Sequence, residues 1–190
     1  KAYGIKTGTR IGDAKSLCPD LHLVTGGHAM YTVYHRRVLA AVETVLPIHR
    51  VRSIDEMEFR LLGTEREPEN ARGLARRLKE ALRDHVGECM KCSIGIAPNS
   101  FLAKVGTELQ KPDGLVTLEA SDLPDALYPL KLTDIPGINR RMLARLQAHR
   151  IFTTKDLTGA ERTHLHEAFG SIIGERWWYL LRGYDLPEQE

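Results

Sequence analysis

From Ala29 to Leu46 apolar residues recur at helical spacing, at Tyr31, Tyr34 or His35, Val38, Ala41 or Val42 and Val45, and Pro47 ends the run. That pattern predicts a long amphipathic helix. Val51 to Leu62 changes period: Val51, Ser53, Asp55, Met57, Phe59 and Leu61 alternate with Arg52, Ile54, Glu56, Glu58 and Arg60, which predicts one strand ending at Gly63 and Pro68. Residues 70 to 85 return to helical spacing, with Ala71, Leu74, Ala75, Leu78, Ala81 and Leu82 on one side. Arg72, Arg76, Lys79 and Arg83 fall on the other, expected to be a solvated face.

Lys91 to Ala97 is β-branched and short enough for a buried strand, and Pro98 and Asn99 then cap a helix from about Ser100 to Leu109. Lys111, Pro112, Asp113 and Gly114 form a turn by composition, and Leu115 to Leu118 reads as a further strand. Ahead of all this, Ile11 to Cys18 predicts one short helix, stopped at Pro19, in a region with no obvious core. Beyond Leu123 strand signals vanish. A short helix capped by Ser121 or Asp122, a hairpin at Ile135 to Asn139, and helices near 140–149, 154–157, 161–169 and 174–182 are expected. The fold class is therefore α+β: a sheet packed with helices, followed by an all-helical tail.

Composition narrows the field. With 190 residues, 42% hydrophobic and 27% charged, the chain resembles a globular protein rather than a disordered one. No apolar run is long enough to cross a bilayer, so no membrane is expected. Three cysteines cannot close a disulfide framework, which favours a reducing, cytoplasmic setting. Cys89 and Cys92 form a C-x-x-C with no second pair, His164 and His166 are expected on the surface, and one of Trp177 and Trp178 is expected to pack the last helix. A first residue that is Lys1, with no signal-like stretch, reads as the interior of something longer.

Three segments could carry chemistry. Ser53, Ile54, Asp55 and Glu56 place two carboxylates in an apolar strand, with Asp55 on the face that looks buried. Such a group must be paired, protonated, metal-bound or at a sheet edge. Paired carboxylates are hard oxygen donors of the kind Mg²⁺ takes together with phosphates, and a salt-bridged strand end near Arg52 is the plainer alternative. Next, a strand feeds a helix carrying Lys104 and then a tight turn carrying Lys111, a cation that a Pro-Asp-Gly turn would pre-order for a phosphate. Finally, Asp134 to Arg145 looks like a helix-hairpin-helix. Pro136 and Gly137 make the hairpin, Asn139 suits a positive φ, and free N–H groups open the next helix. Residues 131–155 hold Lys131, Arg140, Arg141, Arg145, Arg150 and Lys155 against Asp134 alone, a local +5 hidden in a net charge of +2.

In this order the three segments resemble the Y-family, or translesion, DNA polymerases of the DNA polymerase IV group. The resemblance implies a partial fingers region at residues 1–26, a partial palm at 27–118 and a thumb with a helix-hairpin-helix at 119–190. It implies that Asp55 and Glu56 hold Mg²⁺ and act in catalysis. Lys111, and Lys1 where the family has a fingers arginine, would bind the nucleotide. Gly137, Ile138, Asn139, Arg140 and Arg141 would grip DNA through its backbone. Primer-template DNA and a dNTP are the implied partners of a monomer, and a sliding clamp would be reached through segments outside the chain. The sequence departs from the family's pattern at Met57 to Arg60, Ser100 and Asn139. The resemblance further implies that the N-terminal palm strand with the other metal-binding aspartate and the C-terminal little-finger domain are expected outside these 190 residues. The expectation is therefore a nucleotidyltransferase parent and an inactive fragment, with a non-catalytic DNA-binding repair scaffold of the same fold as the alternative.

Overall fold

Two layers of short strands and helices lead into a helical tail in the computed structural model, which describes residues 3–187; Lys1 lies outside them. The elements in chain order are α1 (Ile11–Leu17), α2 (His28–Glu43), β1 (Ile48–Val51), β2 (Met57–Phe59), α3 (Pro68–His85), β3 (Ile94–Ile96), α4 (Ser100–Leu109) and β4 (Leu115–Thr117). Three 3₁₀ turns follow, Ala120–Asp122, Asp125–Leu127 and Leu132–Asp134. The chain then forms α5 (Arg140–Ala148), α6 (Thr154–Gly159), α7 (Arg162–Phe169) and α8 (Ile172–Leu180). Within the helix α1 the buried residue is Ala14, in keeping with a region that has no core of its own.

The strand expected over Val51 to Leu62 is instead a hairpin. β1 and β2 pair antiparallel, with Ile48 opposite Phe59 and Val51 opposite Met57, and residues 52–56 turn the chain back. Alternation misleads here because the two arms and the turn between them happen to keep a common period. Two backbone bonds close the turn, Arg52 N–H and Ser53 N–H both donating to the Glu56 carbonyl at 2.8 and 3.1 Å. β3 and β4 pair in parallel, joined by α4 as the crossover. Among the described residues the four strands form two separate ladders rather than the single sheet expected from the order of elements.

Gly95 sits at the centre of β3, and a Cβ there would collide with the Ala103 carbonyl oxygen, so only glycine lets α4 lie this close on the strand. α2 and α3 bury Ala41, Val42, Leu78 and Leu82 against one another and gather Met57, Phe59 and Ile94 from both ladders. Each fully buried leucine contributes about 1.5–3 kcal/mol of apolar burial. The second core begins on α4, with Leu102 and Val105, and at Leu118 just after β4, and runs without a break into Leu127, Leu146, Leu165 and Trp177 of the tail. The polar side of α3 is less solvated than its composition implies. Arg72 Nε donates to the Thr117 hydroxyl at 3.2 Å, and Lys79 reaches the strand layer, both pinning the helix to its neighbours. Ser121 and Asp122 do not cap a helix: they lie inside a three-residue 3₁₀ turn, where the Asp122 carboxylate accepts from Glu119 N–H.

Asn99 joins the two parts. It is 5% exposed, and its Oδ1 accepts from Leu102 N–H at 2.8 Å to cap α4. Its amide nitrogen donates to the Leu180 and Tyr184 carbonyls at the end of α8, at 2.9 and 3.0 Å. Asn99→Ala removes a cap and the donor that two partly buried carbonyls share, so urea unfolding should show a loss of about 1–3 kcal/mol. A loss within about 0.5 kcal/mol would mean that the two parts hold together without this residue.

Candidate active site

Asp55 and Glu56 stand at the tip of the β1–β2 turn, both exposed, not on a buried strand face. In a turn the strict alternation of a flat strand no longer sends adjacent side chains to opposite faces of a sheet. Ser53 Oγ donates to Asp55 Oδ1 at 2.7 Å. From α2, His35 Nδ1 donates to the Ile54 carbonyl at 2.7 Å and ties the turn to the helix. Arg52 forms a two-pronged ion pair with Glu58, Nε to Oε1 at 2.7 Å and Nη2 to Oε2 at 2.9 Å, bracing the hairpin stem.

Glu56 is drawn into a line of alternating charge. Lys104 Nζ on α4 donates to Glu56 Oε1 at 2.5 Å and lies 3.6 Å from Glu108 Oε1, one helical turn further on. Lys111 Nζ donates to the same Glu108 oxygen at 2.7 Å. Glu56, Lys104, Glu108 and Lys111 thus connect the carboxylate turn with the lysine of the Pro-Asp-Gly turn. Partial burial pulls Lys104 down, but the hydrogen bond and charge of Glu56, with Glu108 behind them, outweigh it and hold its pKa above the ordinary lysine value.

The Lys111 turn is itself clamped. Lys79 on α3 donates to the Cys92 carbonyl at 2.6 Å, the Asp113 carbonyl at 2.9 Å and Asp113 Oδ1 at 2.5 Å. Asp113 takes a φ of 60°, a left-handed conformation that this lysine holds in place. The hydrogen bond from Lys79, against slight desolvation and aided by the charges of Lys79 and Lys91, keeps the Asp113 carboxyl below the usual aspartate range.

Facing α4 across an open cleft of about 800 Å³ is the loop before α5. Lys104 and Glu108 line one wall, and Ile135, Gly137, Ile138 and Asn139 line the other. Gly137 carries the positive φ, 98°, and a Cβ there would stand 3.1 Å from the Trp177 ring that floors the loop. Trp177 in turn packs against Phe101 and Phe169, with ring centroids 4.8 and 4.9 Å away. Asn139, expected at positive φ, has φ −84° and instead caps α5, its side chain accepting from Met142 N–H at 2.9 Å. The element ahead of the hairpin is only the 3₁₀ turn Leu132–Asp134. Arg140 and Arg141 open α5, both exposed.

Glu56 and Lys111 are therefore linked through charge, while Asp55, next to Glu56, pairs with Ser53 instead; Gly137 to Asn139 share a cleft with the charged helix, and Lys1 lies outside the described residues. Sequence reasoning missed Glu108, Lys79 and His35. The spacing Lys104, Glu108, Lys111 does carry a helical ion-pair signal. Nothing local marks His35, whose partner lies on another element. Among the described residues no group of three or more His, Cys, Asp or Glu side chains is placed to hold a metal. Asp55 and Glu56 are nonetheless exposed, adjacent oxygen donors, and Glu56 already attracts a cation. Two such carboxylates suit Mg²⁺, which keeps waters and takes substrate phosphates for its remaining positions. No described helix is long and apolar enough to cross a membrane.

A model of the impB/mucB/samB family matches residues 1–108. DNA polymerase IV of Moorella thermoacetica is 34% identical over 183 residues, covering 96% of this chain and 45% of its own. DNA polymerase IV of Pseudomonas paraeruginosa is 30% identical over 187 residues, covering 97% and 52%. The chain spans about half the length of the curated relatives it matches. An insertion ternary complex of Dbh DNA polymerase superposes with a TM-score of 0.82 at 26% identity, over 98% of this chain and 54% of that one. DinB from Sulfolobus solfataricus gives 0.78 over 98% and 55%.

The Lys79 clamp sets a pH dependence. A carboxyl whose folded pKa is depressed stabilises the fold above its unfolded pKa, and that contribution disappears as pH falls through the folded value. Carboxyl ¹³C titration should place the Asp113 midpoint below that of an unfolded aspartate, and Lys79→Met should move it up toward the ordinary value. An unmoved midpoint would show that Lys79 does not hold the turn.

Proposed function

Because the chain belongs to the impB/mucB/samB family, we propose that its parent protein is a translesion DNA polymerase. It would carry out Mg²⁺-dependent, template-directed transfer of nucleotides from dNTPs to a primer 3′ end across damaged DNA. The observation that carries this reading is the charge line from Glu56 through Lys104 and Glu108 to Lys111, which couples one of the two adjacent turn carboxylates to the lysine of the Pro-Asp-Gly turn, its middle members lining the cleft. Residues 27–118 act as palm, 119–190 as thumb, and 1–26 as part of the fingers.

Each group has a physical task. Asp55 and Glu56 would hold Mg²⁺, which would supply Lewis-acid stabilisation of the phosphate charge in an in-line displacement. Lys111, fixed by the clamped turn, meets the triphosphate as a point charge with little ordering left to do on binding. The backbone N–H groups of Gly137 to Asn139 and the guanidinium groups of Arg140 and Arg141 grip duplex phosphates, giving register without reading sequence. Residues 1–190 supply only two carboxylates at the turn, so alone they do not polymerise.

Three outcomes are expected. In the full-length protein Asp55→Ala and Glu56→Ala should each lower primer extension by about a hundredfold or more while leaving duplex affinity within about threefold. In the same assay residues 1–190 should incorporate no nucleotide. Retained extension in both variants, or template-directed incorporation by the 190-residue chain, would overturn these assignments. Arg140→Ala and Arg141→Ala should weaken duplex binding evenly across sequences, each lowering the slope of log affinity against log salt by about 1. An unchanged slope would remove both arginines from the phosphate contacts.

A further inference from the structure

Lys104 holds one of the two oxygens that a metal at Glu56 could take. Its ammonium sits 2.5 Å from Glu56 Oε1, and a second acceptor, Glu108 Oε1, lies 3.6 Å from the same nitrogen. A divalent ion on that carboxylate, at about 2.0–2.1 Å from oxygen, would share it with a like charge already held on the same group. The lysine has somewhere to go. Glu108 is on the same face of α4, and the Lys104 and Glu108 side chains are 36% and 29% exposed, which leaves the lysine room to change rotamer.

Resting on the reading of Asp55 and Glu56 as metal ligands, we propose that Lys104 competes with the divalent cation for Glu56, with Glu108 as the partner that receives the displaced ammonium. The same step acts on Lys111. Glu108 Oε1 now holds Lys111 at 2.7 Å, so the arrival of a second ammonium loosens that pair and releases Lys111 toward a phosphate. Charge thus shifts by one place along the line, and metal at the carboxylate turn and anion at the lysine turn favour each other.

Mn²⁺ serves as the probe, its affinity for the 190-residue chain measured from the free-ion paramagnetic resonance signal. Lys104→Met, which keeps the aliphatic stem, should tighten Mn²⁺ binding about two- to fivefold, the range expected for an exposed ion pair. Glu108→Gln removes the receiving partner and should weaken binding, about twofold. Lys104→Gln, more soluble, repeats the first test if the methionine variant folds poorly, as judged by thermal melting. Opposite signs from two neighbouring substitutions are not what general destabilisation produces. Unchanged or weaker binding in both Lys104 variants, with binding still lowered by Asp55→Asn, would overturn the competition alone. Equal affinity in wild type and Asp55→Asn would overturn the metal reading and the competition with it.

Discussion

A buried amide has to satisfy all its hydrogen bonds within the protein, and at Asn99 that requirement welds two halves of the chain. Its oxygen starts α4, and its nitrogen closes the end of α8, eighty residues later in the sequence. α4 consequently has a fixed position relative to both cores. Its inner residues Leu102 and Val105 are fully enclosed. Its outer residues Lys104 and Glu108 face the cleft. Everything proposed for the site follows from one short helix held at both its apolar face and its cap.

Charge does the remaining work through pairs that are individually weak. Exposed ion pairs contribute about 0–1 kcal/mol each, so the line from Glu56 to Lys111 is poor cement. Weak pairs are, however, easily exchanged, which is what a site that must admit a metal and a phosphate requires. The clamp by Lys79 differs in kind. Three acceptors converge on one ammonium that is 21% exposed, and the turn carrying Lys111 is thereby fixed. A rigid turn beside an exchangeable ion-pair line separates the task of positioning from that of responding.

Much of the fold could be read from residue order. The helix from Ser100 to Leu109, with its Asn99 cap, and the helices of the tail agree with their hydrophobic spacing, and Trp177 does pack the core. The failures are physical. A period of two is blind to a chain reversal, so the hairpin around Asp55 has the pattern of a single strand with one carboxylate facing inward. Asn139 can serve either as a positive-φ residue or as a helix cap, and composition does not choose between them. Gly137 takes the left-handed position, which leaves Asn139 to cap. In the candidate site, Asp55, Glu56 and Lys111 were visible because their residue types are chemically distinctive. His35 and Lys79 were hidden, since an amphipathic pattern assigns a helix face but not the carbonyl across from it.

One feature of the hairpin reaches beyond its shape. The Trp177 ring lies directly under Gly137, while the chain's other tryptophan, Trp178, lies with the Arg182 guanidinium 3.9 Å over its ring. The loop that borders the cleft therefore rests on a chromophore supplied by α8. Any rearrangement of Ile135 to Asn139 changes the surroundings of the Trp177 indole. The protein's ultraviolet emission is, in effect, a readout of the loop's state that needs no added label.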